Sequence, residues 1–335
     1  MIPAIFGLSG PTITEDERAF FRDSDPAGYI LFGRNIENRD QLRRLTDDLR
    51  SLDGRSDLPI LIDQEGGRVA RMKAPEWPAF PSGAAFDALY ERAPASAIEA
   101  ARLNAMALAL MLSEVGITVD CLPLLDVRQP GASDVIGDRA LGSEPMRVAA
   151  LGRAILSGLQ DGGVVGIVKH IPGHGRATLD SHEQLPVVTA PDRDLQSDLA
   201  PFAALRDAAM AMTCHVVFEA WDPERPATLS PTIIDSVIRQ RVGFHGLLMS
   251  DDLDMKALSG DVPARAAAAV AAGCDIALNC WGKMDDMVGI ANALDPIGEI
   301  SLARLEGAMD RIAGVRDGRE FAMLVDQRDA LLAIA

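Results

Sequence analysis

Three of the chain's five histidines crowd into one short stretch, KHIPGHGRATLDSHEQLP, residues 169–186. His170, His174 and His182 alternate there with Pro172, Gly173 and Gly175, and with two ionisable neighbours, Lys169 and Asp180. Apart from coincidental packing, two chemistries fit such a stretch: a metal cage and a proton-transfer device. The four-residue spacing of His170 and His174 would put both on one helical face, but Pro172 and the two glycines oppose a helix. No Glu follows His170, as the H-E-x-x-H motif of metalloproteases requires. Proton transfer is the better match. Asp180 and His182 are two residues apart, so in an extended loop both side chains project to the same side. A carboxylate so placed fixes the imidazole's orientation and tautomer and favours its charged form. With an ordinary pKa of about 6.5, the ring can give a proton and later take one back. The structural alternative is an Asp–His hydrogen bond that merely steadies a long loop. His174 is expected to shape the loop rather than do chemistry. The glycines beside it are expected to let the loop move, or let backbone approach a ligand.

The second candidate is LLMSDDLDM, residues 247–255, an apolar run that ends in paired acids. Close like charges raise one another's pKa, so such a pair is costly unless partnered or used. Strand alternation sends Asp251 and Asp252 in opposite directions, one toward a site and the other toward the cap of the next helix. Position alone does not choose between them, and Glu65 is the rival carboxylate. A carboxylate on a rigid strand facing a proton carrier on a loop is the arrangement of a retaining glycosidase.

Those groups need a scaffold, and the chain supplies a regular one. Short apolar runs fall at 4–10, 28–35, 58–67, 117–127, 164–173, 210–218, 245–253 and 274–280, with helical spacing between them. They are continuous rather than alternating, as a parallel sheet buried on both faces requires. Eight β–α units predict a (β/α)8 barrel, with a doubly wound open sheet as the alternative. One domain is expected over 1–335, with residues after about 295 forming closing helices. Polar residues gather where the runs end: Arg34-Asn35, Asp63-Gln64-Glu65, Asp126, Lys169-His170, His215 and Asp251-Asp252. Strand C-terminal ends are where such a barrel builds its active site. His215 is a candidate substrate contact, and His245, ahead of its strand, is expected to be structural.

Composition narrows the partners. A net charge of −17 argues against nucleic acid, which needs a basic footprint. No run approaches the roughly 20 apolar residues of a membrane span, and MIPAIFGLSGPTITEDERAF lacks a basic leader. A cytoplasmic protein is the expectation. Cys121, Cys214, Cys274 and Cys280 lie in or beside apolar runs with no C-x-x-C pair, which predicts buried thiols rather than disulfides or a zinc site.

LIDQEGGRVAR (61–71), KHIPGHGRATLDSHEQLP (169–186) and SDDLDMKAL (250–258) resemble the signature stretches of the family-3 glycoside hydrolases. LFGRN (31–35), LPLLDV (122–127) and IGDRALG (136–142) agree with the same family in the same order. More narrowly, the likeness is to the bacterial β-N-acetylglucosaminidases of peptidoglycan recycling. The resemblance implies a single (β/α)8 barrel that removes terminal β-linked N-acetylglucosamine with retention, as a monomer without metal or cofactor. It implies Asp251 as nucleophile, His182 as acid/base and Asp180 as its partner. It further implies a sugar pocket lined by Asp63, Arg71, Arg139, Lys169 and His170. Ile171, Asp138 and Ala140 depart from the commoner family residues and bear on the pocket's outer shape. The β-glucosidases and β-xylosidases of the family, a phosphorylase and an inactive sugar-binding protein are the alternatives.

Overall fold

The computed structural model describes residues 1–312 and 318–335. Eight parallel strands run β1 (Ile2–Gly7), β2 (Pro26–Leu31), β3 (Ile60–Ile62), β4 (Val119–Asp120), β5 (Val165–Ile171), β6 (Met210–Thr213), β7 (Leu247–Met249) and β8 (Ala277–Asn279). Each pairs with its neighbour in sequence, and β1 also pairs with β8 through Ala4–Ala277, Ile5–Leu278 and Phe6–Asn279. A parallel bridge between Met249 and Ile276 joins β7 to β8 and closes the ring. The architecture is the (β/α)8 barrel, not the open sheet.

Two apolar cores follow from the two-residue period of each strand. Ile5, Ile30, Leu61, Val165, Ile167, Met210, Leu247, Met249 and Leu278 fill the barrel's interior. Phe6, Tyr29, Leu31, Ile60, Ile62, Val168 and Leu248 face outward and pack under the helices. The helices start and stop where local chemistry directs. Thr14 and Glu17 form a reciprocal capping box ahead of Glu15–Ser24, and Asn38 caps Arg39–Asp53, which ends at Gly54 in the left-handed region. Two further helices, Glu299–Met309 and Phe321–Leu332, follow β8.

Three differences from expectation have local causes. The run 210–218 divides, because the chain leaves the barrel after Thr213 and Val217–Phe218 joins Val187–Val188 and Asp222–Pro226 in a separate three-stranded sheet. The run 117–127 keeps only Val119–Asp120 as regular strand, since Pro123 cannot donate to a ladder. Pro94–Glu114 is, among the described residues, one helix long and apolar enough to cross a membrane. Its apolarity serves packing instead, as it is wedged between Pro145–Asp161 and Phe321–Leu332 and largely buried.

Candidate active site

At the C-terminal ends of the strands lies a cavity of ≈ 300 Å³, bordered by the residues for which the family resemblance implies a role: Asp63, Arg71, Arg139, Lys169, His170, Asp180, His182 and Asp251. Strand period accounts for three of them. Asp63 continues the inward series of Leu61, Lys169 that of Val165 and Ile167, and Asp251 that of Leu247 and Met249.

The floor is a charge network. Lys169, 2% exposed, places Nζ 3.1 Å from Asp63 Oδ1 and 2.7 Å from Glu65 Oε1. Arg139 donates to Glu65 through Nε (2.8 Å) and Nη2 (2.7 Å), and Arg71 Nη2 donates to Asp63 Oδ2 at 3.1 Å. Burial alone would push both carboxyls up; Lys169 and the arginines outweigh it and hold Asp63 far below, and Glu65 below, the usual range. The same anions keep Lys169 protonated against its own burial. Glu65 thus has both oxygens engaged by Arg139 and Lys169 as a counter-ion. Arg71 is also stacked over the Phe32 ring, 5.2 Å from its centroid.

The histidine stretch is organised by Asp126. Its Oδ2 accepts from His170 Nδ1 at 2.7 Å, and its Oδ1 accepts from the backbone N–H groups of His170 (3.2 Å) and His174 (2.6 Å). Burial opposes charge on Asp126, but the two histidines hold its carboxyl down at about 2. An anionic Asp126 only accepts, so His170 Nδ1 carries the proton and Nε2 is the ring nitrogen left for the cavity. Asp180 makes an Asx turn: its Oδ1 accepts from the backbone N–H of His182 at 2.9 Å and from the ring Nδ1 at 2.7 Å. That again leaves Nε2 of His182 open. Burial pushes Asp180 up, and the bonds from His182 bring it below its ordinary value.

Asp251 is enclosed. Burial alone would raise its carboxyl, but His170, His215 and the backbone N–H of Asp252 (2.8 Å) hold it below the ordinary value. Asp252 behaves oppositely. Burial, then the carboxylates of Asp254 and Asp251, push it up to about 7. The expected division of labour between the pair does not hold. Both acids border the cavity, Asp252 accepts from the backbone N–H groups of Asp254 and Cys280, and the next helix, Val262–Ala272, is capped by Asp261. The reason is that regular strand ends at Met249, so alternation does not turn Asp252 away from the cavity.

His215 does not border the cavity; it is buried, with Nε2 on the Asp252 carbonyl oxygen and Nδ1 on Thr228 Oγ1. His245 lies exposed beyond the N-terminal end of β7. All four cysteines are free and buried. Among the described residues no three His, Cys, Asp or Glu stand where they could hold a metal ion. Two residues gain a part only in the folded chain: Asp126, through its bonds to His170 and His174, and Ser181, whose Oγ stands 3.1 Å from His174 Nε2. Neither has a local signal: both act through bonds to distant or mid-loop groups.

Known proteins share this chain's sequence and fold along most of its length. Residues 5–315 match the glycosyl hydrolase family 3 N-terminal domain. The β-hexosaminidase of Aromatoleum aromaticum is 38% identical over 92% of this chain and 87% of its own. That of Methylococcus capsulatus is 36% identical over 98% and 94%. Among solved structures, NagZ from Neisseria gonorrhoeae in complex with N-trifluoroacetyl-D-glucosamine superposes with a TM-score of 0.88 at 31% identity, covering 98% of both chains. A family-3 β-N-acetylglucosaminidase from a Paenibacillus species gives 0.79 at 31% identity over 98% of this chain and 61% of that one. A barrel whose strand ends deliver this set of charges, matched along nearly its whole length, belongs to family 3 of the glycosyl hydrolases and within it to the β-N-acetylhexosaminidase type.

Proposed function

We propose that the chain is a retaining exo-β-N-acetylglucosaminidase that removes terminal, β-linked N-acetylglucosamine from muropeptide fragments of peptidoglycan. Asp251 is the nucleophile and His182, oriented by Asp180, the acid/base. The observation that carries this is the convergence of an enclosed, ionised carboxylate and an exposed Asp–imidazole pair on one cavity. In the first step a carboxylate oxygen of Asp251 bonds to the anomeric carbon, the glycosidic C–O bond breaks, and His182 Nε2 gives its proton to the leaving oxygen. In the second, Nε2 takes a proton from water, whose oxygen attacks the same carbon and frees Asp251. Asp63, Arg71, Arg139, Lys169 and His170 hold the sugar. We read residues 1–335 as one domain that acts as a monomer in the cytoplasm without cofactor. The N-acetylglucosamine derivative bound by the Neisseria relative and the β-N-acetylglucosaminidase of Paenibacillus support the sugar assignment.

The test uses aryl β-N-acetylglucosaminides. Asp251→Ala should abolish turnover while the fold persists. His182→Ala should lose about 10²–10⁴-fold on substrates with poor leaving groups and far less on those needing little protonation. Near-normal turnover by Asp251→Ala refutes the assignment.

A further inference from the structure

Asp180 and His182 expose 37% and 64% of their side chains, yet Ser181 between them is buried. Among the described residues, the hydrogen bonds of Asp180 and His182 stay within 180–184. Nothing in that turn's own bonding ties the pair to the cavity. Ser181 supplies the ties, in two directions. Its hydroxyl meets Nε2 of His174, whose backbone N–H is held by Asp126 at the end of the barrel wall. Its carbonyl accepts from the backbone N–H of Ala257 at 3.3 Å, on the segment that follows Asp251. Among the described residues this is the one hydrogen bond of the buried His174 ring, since Nδ1 finds no partner.

We propose that Ser181 is a positioning residue: held by His174 on one side and Ala257 on the other, it sets the Asp180–His182 pair in register with Asp251. This rests on the functional reading above, in which His182 protonates the leaving group. The hydroxyl touches no substrate in this scheme. Its removal should loosen the aim of His182 while leaving Asp251 and the sugar pocket as they are. A purely structural serine would affect all substrates alike.

The experiment compares Ser181→Ala, Ser181→Thr and His174→Gln with the parent across aryl β-N-acetylglucosaminides of graded leaving-group acidity, with His182→Ala as reference. For Ser181→Ala, kcat/KM should fall about 10- to 100-fold for poor leaving groups, the range for lost orienting contacts. The 2,4-dinitrophenyl glycoside should be cleaved within about threefold of the parent rate, since little proton transfer is needed there. KM should stay near the parent value, Ser181→Thr should recover activity, and His174→Gln should reproduce the Ala pattern. A loss uniform across leaving groups, no loss, or a Ser181→Ala protein that does not fold each overturns the proposal. His182→Ala separates the two levels. If it shows no leaving-group dependence, the acid role itself fails; if it does and Ser181→Ala does not, only the positioning role fails.

Discussion

Asp126 Oδ2 stands 2.7 Å from His170 Nδ1 where the carboxylate is wholly shielded from water. One side chain thereby fixes a ring at the cavity wall and the backbone of the stretch that leads to Asp180 and His182.

Asp126→Ala should therefore lose both stability and activity. It strands the backbone N–H groups of His170 and His174, at about 1–3 kcal/mol for each buried donor left unpaired. Loss of ring orientation should lower kcat/KM about 10- to 100-fold. Urea unfolding and steady-state kinetics read the two effects, and a variant matching the parent in both would remove Asp126 from its anchoring role.

Lys169→Met leaves Asp63 and Glu65 without the cation that lies between them. Breaking a buried ion pair from one side costs about 3–5 kcal/mol, so a drop of that order in unfolding free energy is expected. A Lys169→Met protein as stable as the parent would mean that Arg71 and Arg139 suffice.

Azide discriminates between the carboxylates. With a good leaving group, Asp251→Ala should regain turnover in added azide and release a glycosyl azide, because a small anion can occupy the space the carboxylate leaves. Glu65→Ala, which disturbs Arg139 and Lys169 instead, should gain nothing. Rescue of Glu65→Ala rather than Asp251→Ala would exchange their roles.

The buried His174 and the half-buried Asp252 make opposite contributions to stability as pH changes. Burial and His170 push the His174 imidazole down to about 4, while an unfolded chain titrates near 6.5. The unfolded state therefore protonates first, and stability present above about 6.5 is lost as pH falls toward 4, by up to about 3 kcal/mol. Asp252, raised to about 7, contributes stability that is full below the ordinary value near 4 and is lost as pH rises through 7. Relative to the parent, His174→Gln should become more stable as pH is lowered from 6.5 to 4, and Asp252→Asn less so. Denaturation series over that range measure both, and parallel curves for parent and His174→Gln would contradict the first.

Gly175→Ala should destabilise by about 1–3 kcal/mol or more, because a Cβ there collides with the carbonyl oxygen of Val127. The melting temperature should fall accordingly. An unchanged melting temperature would show that the loop yields at this point.

Much of the architecture was legible because apolar runs of strand length recur between helical stretches, and the charged strand ends then had only one mouth to share. Asp251 was not separable from Asp252 because Leu247, Leu248 and Met249 are all apolar. A strand buried on both faces hides which parity points inward. The glycines around His174 have uses that only the folded chain shows: Gly173 sits at φ 134°, in the region that favours glycine, and Gly175 lies on the Val127 backbone. Ser181 was invisible because its neighbours carry the chemistry and its own partners, His174 and Ala257, are fixed only by tertiary structure.

The pairing of Ala4 with Ala277 has a consequence for biosynthesis. As the polypeptide is translated, β1 can dock on β2 early, but its other flank stays bare until β8 has cleared the ribosomal exit tunnel. An open strand flank invites pairing with other nascent chains. Completion of the ring, and with it the assembly of the cavity's rim, is deferred until β8 has emerged.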